Sequence, residues 1–135
     1  MADFRLVLVE SKRYQPALFN PIDSSRIPAE RWYKKLDLGN DWKLSVQASA
    51  YNYSSPKETL DDPTEYTHWD VALLRGKTLV HPGSRLWEDH IKKLSSSWKS
   101  VFSEAEQSAP FCPTEVVAAI ISDSFFREAR TSEVN

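Results

Sequence analysis

Two stretches of this chain decide its fold: Trp42-Lys-Leu-Ser-Val-Gln-Ala-Ser-Ala-Tyr-Asn-Tyr53 and Tyr66-Thr-His-Trp-Asp-Val-Ala-Leu-Leu74. In each stretch apolar residues stand at every second position, which is the period of a β-strand with one buried face. The segment between them, residues 54–65, is too short for the crossover that joins parallel strands. The sequence therefore predicts an antiparallel pair of strands.

The flanking segments predict further elements on both sides of this pair. Residues 4–9 show a period of two and include β-branched valines, a pattern that predicts a first strand buried on both faces. Residues 29–36 follow a proline and predict a short helix, whereas residues 78–80 predict a short strand that adds to the sheet.

Two longer helices are predicted in the second half of the chain. Residues 84–101 carry apolar side chains at spacings of four, three, four and three, which is the pattern of one helical stripe. A second helix is predicted to begin at Pro113 and to continue through Phe125 and Phe126. The predicted fold class is therefore α+β, with a small antiparallel sheet of three to four strands packed against two main helices.

The composition is that of one aromatic-rich domain. The chain has 135 residues, of which 41% are hydrophobic and 12% aromatic, enough to bury a core without disulfides or metals. We predict a single α+β domain over residues 1–135, with residues 130–135 as a frayed tail.

Charge and cysteine content limit the function classes. The net charge of −2 gives no uniform positive field for nucleic acid, and the single cysteine rules out an intramolecular disulfide. No apolar run approaches the roughly 18–20 residues that span a bilayer, and the first residues do not form a signal peptide. The expected location is the cytoplasm of a bacterial host, with no membrane partner.

The loop between the two strands is the first candidate site. It concentrates four carboxylates, and long loops in compact domains are often functional. An acidic loop of this kind can present its charges to the basic groove of a partner and imitate nucleic-acid phosphates, or it can be an ordinary solvated loop. Its acidic residues are Glu58, Asp61, Asp62 and Glu65.

A basic and aromatic segment is the second candidate site. Single-stranded nucleic-acid binders interleave rings, which stack on bases, with cations that follow phosphates. The same composition also occurs where rings pack inward and lysines face water. The residues of this patch are Arg31, Trp32, Lys34 and Lys35.

A third candidate is a His and Asp pair on the second strand. His68 and Asp70 project from the same face and offer an acid/base or metal site, although a polar strand surface has the same pattern. Cys112 precedes a predicted helix start, where a thiolate is favoured, but a buried cysteine explains it equally. No catalytic residue, metal ligand or cofactor is assigned.

Several motifs carry a resemblance. They are Tyr51-Asn-Tyr-Ser-Ser-Pro56, Tyr66-Thr-His-Trp-Asp-Val-Ala72 and Phe111-Cys-Pro-Thr-Glu-Val-Val-Ala-Ala-Ile-Ile121, together with the strand that begins at Trp42. The central and C-terminal two-thirds of the chain resemble small, uncharacterised proteins of bacteriophages and bacterial mobile elements. The resemblance implies a genomic setting and supplies no activity or catalytic residue.

The function expected from these observations is that of a non-enzymatic binding protein of phage or mobile-element type. It would occupy the surface of a host protein or protein–nucleic-acid complex, and an inhibitor of a CRISPR-type defence complex (an anti-CRISPR protein) is its most specific version. The alternatives are a small nucleic-acid-associated protein that uses the basic-aromatic patch and an enzyme with a His/Asp site. A homo-oligomer is compatible with all three.

Overall fold

The computed structural model describes residues 3–14 and 30–123. This part of the chain contains seven strands and one α-helix. The strands are β1 (Glu10–Tyr14), β2 (Glu30–Tyr33), β3 (Leu36–Gly39), β4 (Trp42–Gln47), β5 (His68–Arg75), β6 (Thr78–Val80) and β7 (Ala109–Pro113), and the helix is α1 (Thr114–Ser122).

The strands form two antiparallel sheets. β1 pairs with β2 in a two-stranded sheet, and the other five strands form a second sheet, in which four follow the order β3-β4-β5-β6 and β7 pairs with β5. Strand β5 is central because its second half pairs with β6 while its first half pairs with β7. The β4–β5 pair confirms the predicted antiparallel pairing, although β4 ends at Gln47 and does not continue to Tyr53 as predicted. Strand β6 lies where it was predicted.

The core lies on one face of the five-stranded sheet. Trp42, Leu44 and Val46 on β4 alternate with less buried residues, and Trp69 and Val71 on β5 do the same. The opposite face of β5 is half-buried and carries His68, Asp70, Ala72 and Leu74. This outer face positions one of the sites described below.

The predicted fold class is wrong, because the described residues are mostly sheet and contain one α-helix of nine residues. Residues 84–101 do not form one helix. They form a π-helical turn at Trp87–Ile91 and a 3-10 helix at Ser97–Val101. The apolar stripe does face the core, since Trp87, Ile91 and Trp98 are buried, but the helix is interrupted between the two turns.

The interruption has a local cause at Ser95-Ser-Ser97. Serine side chains compete for backbone hydrogen bonds and favour turns over helix interiors. Ser96 is extended, and its hydroxyl donates to Asp123 Oδ2 at 2.6 Å. The Lys99 ammonium donates to the carbonyls of Lys92 and Leu94, which satisfies acceptors that a continuous helix would have used.

The two predictions at the N-terminal end are also wrong. Phe4–Leu6 is a 3-10 turn, and the strand begins only at Glu10. Residues 30–33 are strand β2, because antiparallel pairing with β1 satisfies their backbone groups. Helix α1 was predicted to begin at Pro113; it begins one residue later, at Thr114, because Pro113 is the last residue of β7, and it ends at Ser122, after which Asp123 is extended. Phe125, Phe126 and the tail at residues 130–135 lie outside the described residues.

No helix among the described residues reaches the length and hydropathy needed to cross a bilayer.

Candidate functional site

The acidic loop is exposed to solvent. All four of its predicted residues, Glu58, Asp61, Asp62 and Glu65, have exposed side chains. Asp61 pairs with Arg13 Nη2 at 2.8 Å. The Asp62 carboxylate accepts two hydrogen bonds from Thr64, one from its Oγ1 hydroxyl at 2.6 Å and one from the Thr64 backbone N–H at 2.9 Å. These bonds lower the pKa of Asp62. The structure therefore exposes all four predicted carboxylates of this loop.

A buried arginine holds the backbone of this loop. Arg31 is only 1% exposed. Its Nη1 donates to the carbonyl of Leu60 in the acidic loop, and its Nη2 donates to the carbonyl of Ala48 at the end of β4. The guanidinium also lies 4.4 Å from the centroid of the Tyr33 ring. Arg31 thus ties the loop to the sheet.

Tyr66 completes this anchor. Its hydroxyl accepts hydrogen bonds from Arg31 Nη2 at 3.1 Å and from the Leu60 N–H at 2.7 Å. The same hydroxyl donates to the carbonyl of Glu58. Thr59 adds a fourth attachment, because its hydroxyl accepts from the N–H of Ala50 at 3.1 Å. The backbone of the acidic loop is consequently hydrogen-bonded to buried side chains at Glu58 and Leu60.

The predicted basic-aromatic patch is divided by the strand that carries it. Arg31 and Tyr33 point inward from β2, while Trp32 and Lys34 are exposed on the other side. Arg31 therefore belongs to the anchor of the acidic loop, where it has no access to a phosphate. Had residues 30–33 been recognised as a strand, the period of two would have indicated this division.

The exposed members of the patch line a groove of about 520 Å³. One wall comes from β1 and β2, and the other comes from the outer face of β4. Gln47 links β4 to β2, because its side-chain amide accepts a hydrogen bond from the Tyr33 N–H at 2.7 Å and donates one to the Tyr33 carbonyl at 2.9 Å. The groove is lined by Ser11, Trp32, Tyr33, Lys34, Lys35, Ser45 and Gln47.

An aromatic cluster that the sequence did not indicate lies at the start of β5. The rings of Tyr53 and Phe111 are 5.7 Å apart between centroids, and both are close to half exposed, at 45% and 49%. The N–H of Phe111 donates to the carbonyl of Tyr53 at 2.9 Å. The Lys57 ammonium lies 5.2 Å from the centroid of the Tyr53 ring.

Phe111 occupies a strained position in this cluster. Its φ is 52°, in the left-handed region that costs an L-residue roughly 1–2 kcal/mol. The cause is a β-bulge: Trp69 pairs with Cys112 and Val71 pairs with Ala109, so two residues of β7 stand opposite one residue of β5. Glycine is the usual residue at such a position. The phenylalanine there gains little from burial.

His68 and Asp70 lie on the same face of β5 but are engaged by different neighbours. His68 Nδ1 is 2.9 Å from Thr67 Oγ1. Asp70 Oδ2 accepts from the N–H of Tyr53 at 3.2 Å, and the Asn52 side chain bonds the same carboxylate. Burial nevertheless raises the pKa of Asp70 above its ordinary value. Among the described residues the structure records no hydrogen bond between His68 and Asp70.

Cys112 is buried in β7. Burial raises the pKa of its thiol to about 12, and the nearby Glu115 adds to the effect. A helix N-terminus favours a thiolate, but burial in apolar surroundings favours the neutral thiol, and burial is the larger effect here. The described residues contain no cluster of three or more His, Cys, Asp or Glu side chains that would hold a metal ion.

No family model matches the chain, and neither a curated protein nor a solved structure matches it. The resemblance to phage and mobile-element proteins remains an expectation.

Proposed function

We propose that this protein is a non-enzymatic binding protein that occupies a host protein surface with its acidic loop. The observation that carries the proposal is the anchoring of an exposed, charged loop by Arg31 and Tyr66, both of which are buried. A loop fixed before binding loses less conformational entropy when it binds. The buried anchor thus favours recognition by a preformed loop.

The charge of the loop favours a basic target surface. Opposite charges on two partners speed their encounter and select against wrong partners. The most specific version of the proposal is an anti-CRISPR protein, whose acidic loop would enter the basic groove that holds nucleic acid in the defence complex. This version predicts that the nucleic acid and this protein compete for the target.

The test is affinity capture with the tagged full chain from a lysate of the bacterial host, with and without nuclease. The test variant is Glu58→Lys/Glu65→Lys, because within residues 3–14 and 30–123 these two carboxylates have no recorded hydrogen bond or ion pair, unlike Asp61 and Asp62. The control is Asp89→Lys/Glu104→Lys, which changes the charge equally at exposed positions outside the loop. It also removes the exposed ion pair between Asp89 and Arg85 at 3.8 Å, which contributes little to stability.

The proposal expects a stoichiometric protein partner that survives nuclease treatment, and a loss of at least tenfold in affinity for the loop variant but not for the control. Equal affinity of both variants would remove the loop from the interface. A partner that disappears with nuclease would favour the second candidate.

The second candidate function is binding of single-stranded nucleic acid in the basic groove. The specific observation in its favour is that Trp32, Lys34 and Lys35 line one groove of about 520 Å³, which combines a stacking ring with cations. The probe is a labelled oligothymidylate at low salt. Lys34→Glu/Lys35→Glu should weaken binding and reduce the salt dependence by roughly 1.4 in log–log slope.

The matched control for the groove is Lys77→Glu/Lys93→Glu, since both lysines are exposed and lie outside it. Equal loss in both variants would indicate a general charge effect. No binding by the unchanged protein at low salt would end this candidate.

A further inference from the structure

The outer face at the start of β5 carries an exposed phenylalanine in a backbone conformation that disfavours it. Phe111 is 49% exposed and has a φ of 52°. Strain of this kind recurs at binding sites, where it fixes the direction of a side chain. The observation points to a role for the ring outside the core.

The bulge sets Phe111 beside a carboxylate. Pro110 and Phe111 together stand opposite Asp70 in the pairing of β7 with β5. Tyr53 links the two, because its N–H donates to Asp70 Oδ2 at 3.2 Å and its carbonyl accepts from the Phe111 N–H at 2.9 Å. One backbone segment thus positions both rings and the carboxylate on the same surface.

This carboxylate has unused acceptor capacity. A carboxylate offers about four lone-pair sites, and the bonds from Tyr53 and Asn52 occupy two of them. The exposed Glu106 acts electrostatically on Asp70 and adds a second negative charge to the neighbourhood. The surface therefore combines aromatic faces with negative charge.

The cluster already holds a cation of its own chain. The ammonium of Lys57 lies 5.2 Å from the centroid of the Tyr53 ring, within the distance at which a ring attracts a cation. Phe111 has an exposed ring beside this one. The Tyr53 ring therefore already takes part in one cation–π contact.

We propose that Phe111, Tyr53 and Asp70 form a receptor for the guanidinium of an arginine side chain of a partner protein. Arginine fits better than lysine, because its planar group stacks on a ring and donates two hydrogen bonds to a carboxylate at once. The proposal rests on the proposed function and deepens it, since a basic target surface supplies such side chains.

The direct test is an NMR titration of the full chain with N-acetyl-arginine amide, and with N-acetyl-citrulline amide as the uncharged analogue. The expected result is saturable shifts of the Phe111 and Tyr53 ring signals with the arginine compound, in the millimolar range, and at least tenfold weaker binding of the citrulline compound. Equal binding of both compounds, or no saturable shift, would overturn the proposal.

Four variants sharpen the titration. Phe111→Gly suits the left-handed backbone, so it removes the ring without new strain, and Asp70→Asn removes the charge while keeping the shape; each should weaken arginine binding at least tenfold. Phe111→Tyr keeps an aromatic ring and should bind arginine as the unchanged protein does. Lys57→Ala should strengthen arginine binding by a few-fold, because the Lys57 ammonium no longer competes for the Tyr53 ring. Unchanged affinity in the first two variants would refute the receptor.

The same variants separate this proposal from that of the acidic loop. If the captured partner loses affinity with Glu58→Lys/Glu65→Lys but not with Phe111→Gly, the loop proposal stands and the arginine receptor is rejected for that partner. If Phe111→Gly and Asp70→Asn weaken binding while the loop variant does not, the receptor stands and the loop is rejected.

Discussion

The guanidinium of Arg31 donates a hydrogen bond to the hydroxyl of Tyr66 at 3.1 Å, beneath the loop that carries the acidic residues. Both side chains are almost completely buried, and both also bond the backbone of the loop. An arginine of this kind stabilises the loop through several charge-assisted hydrogen bonds. The presentation of the acidic loop thus depends on a basic residue in another strand.

Removal of the Tyr66 hydroxyl should destabilise the protein. Tyr66→Phe leaves the Leu60 N–H and the Glu58 carbonyl without their partner, and we expect a loss of about 1–3 kcal/mol in the free energy of unfolding. Urea denaturation measures it. Tyr53→Phe is the control, because that side chain is close to half exposed, and it should stay within about 0.5 kcal/mol. Equal stability of the two variants would contradict the anchor.

Arg31 and Tyr66 should also be energetically coupled. Arg31→Met keeps much of the volume of the side chain and removes its donors to Leu60 and Ala48. A double-mutant cycle with Tyr66→Phe should give a coupling free energy of about 0.5–3 kcal/mol. Additive losses would mean that the hydrogen bond between the two contributes nothing to stability.

At position 111, glycine should be more stable than alanine, which reverses the usual order in a strand. Alanine keeps the Cβ atom that a φ of 52° disfavours, whereas glycine does not, so we expect Phe111→Gly to exceed Phe111→Ala by about 1 kcal/mol. Thermal and urea unfolding measure the difference. Phe102→Ala is the contrast, because this ring is buried and its loss should cost about 3–5 kcal/mol. The opposite order at position 111 would show that the backbone there is not strained.

The thiol of Cys112 should be unreactive in the folded protein. Burial raises its pKa to about 12, and only the thiolate is the nucleophile. A disulfide reagent at pH 8 should label it only after unfolding in guanidinium. Between pH 9 and about 12 the thiol keeps its proton in the folded state and loses it in the unfolded state. The free energy of unfolding should therefore fall as the pH rises above about 9. Rapid labelling of the folded protein would contradict the burial.

The carboxyl group of Asp70 should contribute more to the stability of the folded protein when it is protonated at acidic pH than when it is ionised at neutral pH. Burial raises the pKa of Asp70 in the folded state above its ordinary value of 3.8, so the folded state binds this proton more tightly than the unfolded state. Its contribution is therefore present below 3.8 and is lost as the pH rises through the folded-state pKa. Between pH 3 and 7, this effect should lower the melting temperature of the unchanged protein more than that of Asp70→Asn, which has no carboxyl group to titrate at this position.

Asp62 provides the opposite sign in the same experiment. Hydrogen bonds from Thr64 lower the pKa of Asp62, so its contribution is present above the ordinary value of 3.8 and is lost as the pH falls below it. Asp62→Ala should remove that acid-side loss and leave the effect of Asp70 in place. A change of the same sign in both variants would contradict the assignment of the two shifts.

The sequence by itself determined the central strand pair and the first residues of the α-helix. Alternation in β4 and β5 depends on each residue's own character, since every second side chain must be apolar to face the core. The acidic character and the exposure of residues such as Glu58 and Glu65 follow from the same local property. The pattern at residues 84–101 correctly indicated which side chains are buried, but the serines between its halves ended the helix.

The tertiary structure alone decided how the sites are built. Arg31 is 29 residues from Leu60 and 35 from Tyr66, so nothing local indicates that it faces inward to hold a loop. Phe111 lies opposite Asp70 only because a bulge places two residues of β7 opposite one of β5. Local patterns fix which side chains favour water or the interior, whereas the partners of a buried charge and the direction of an exposed ring depend on chain segments that meet only in the folded protein.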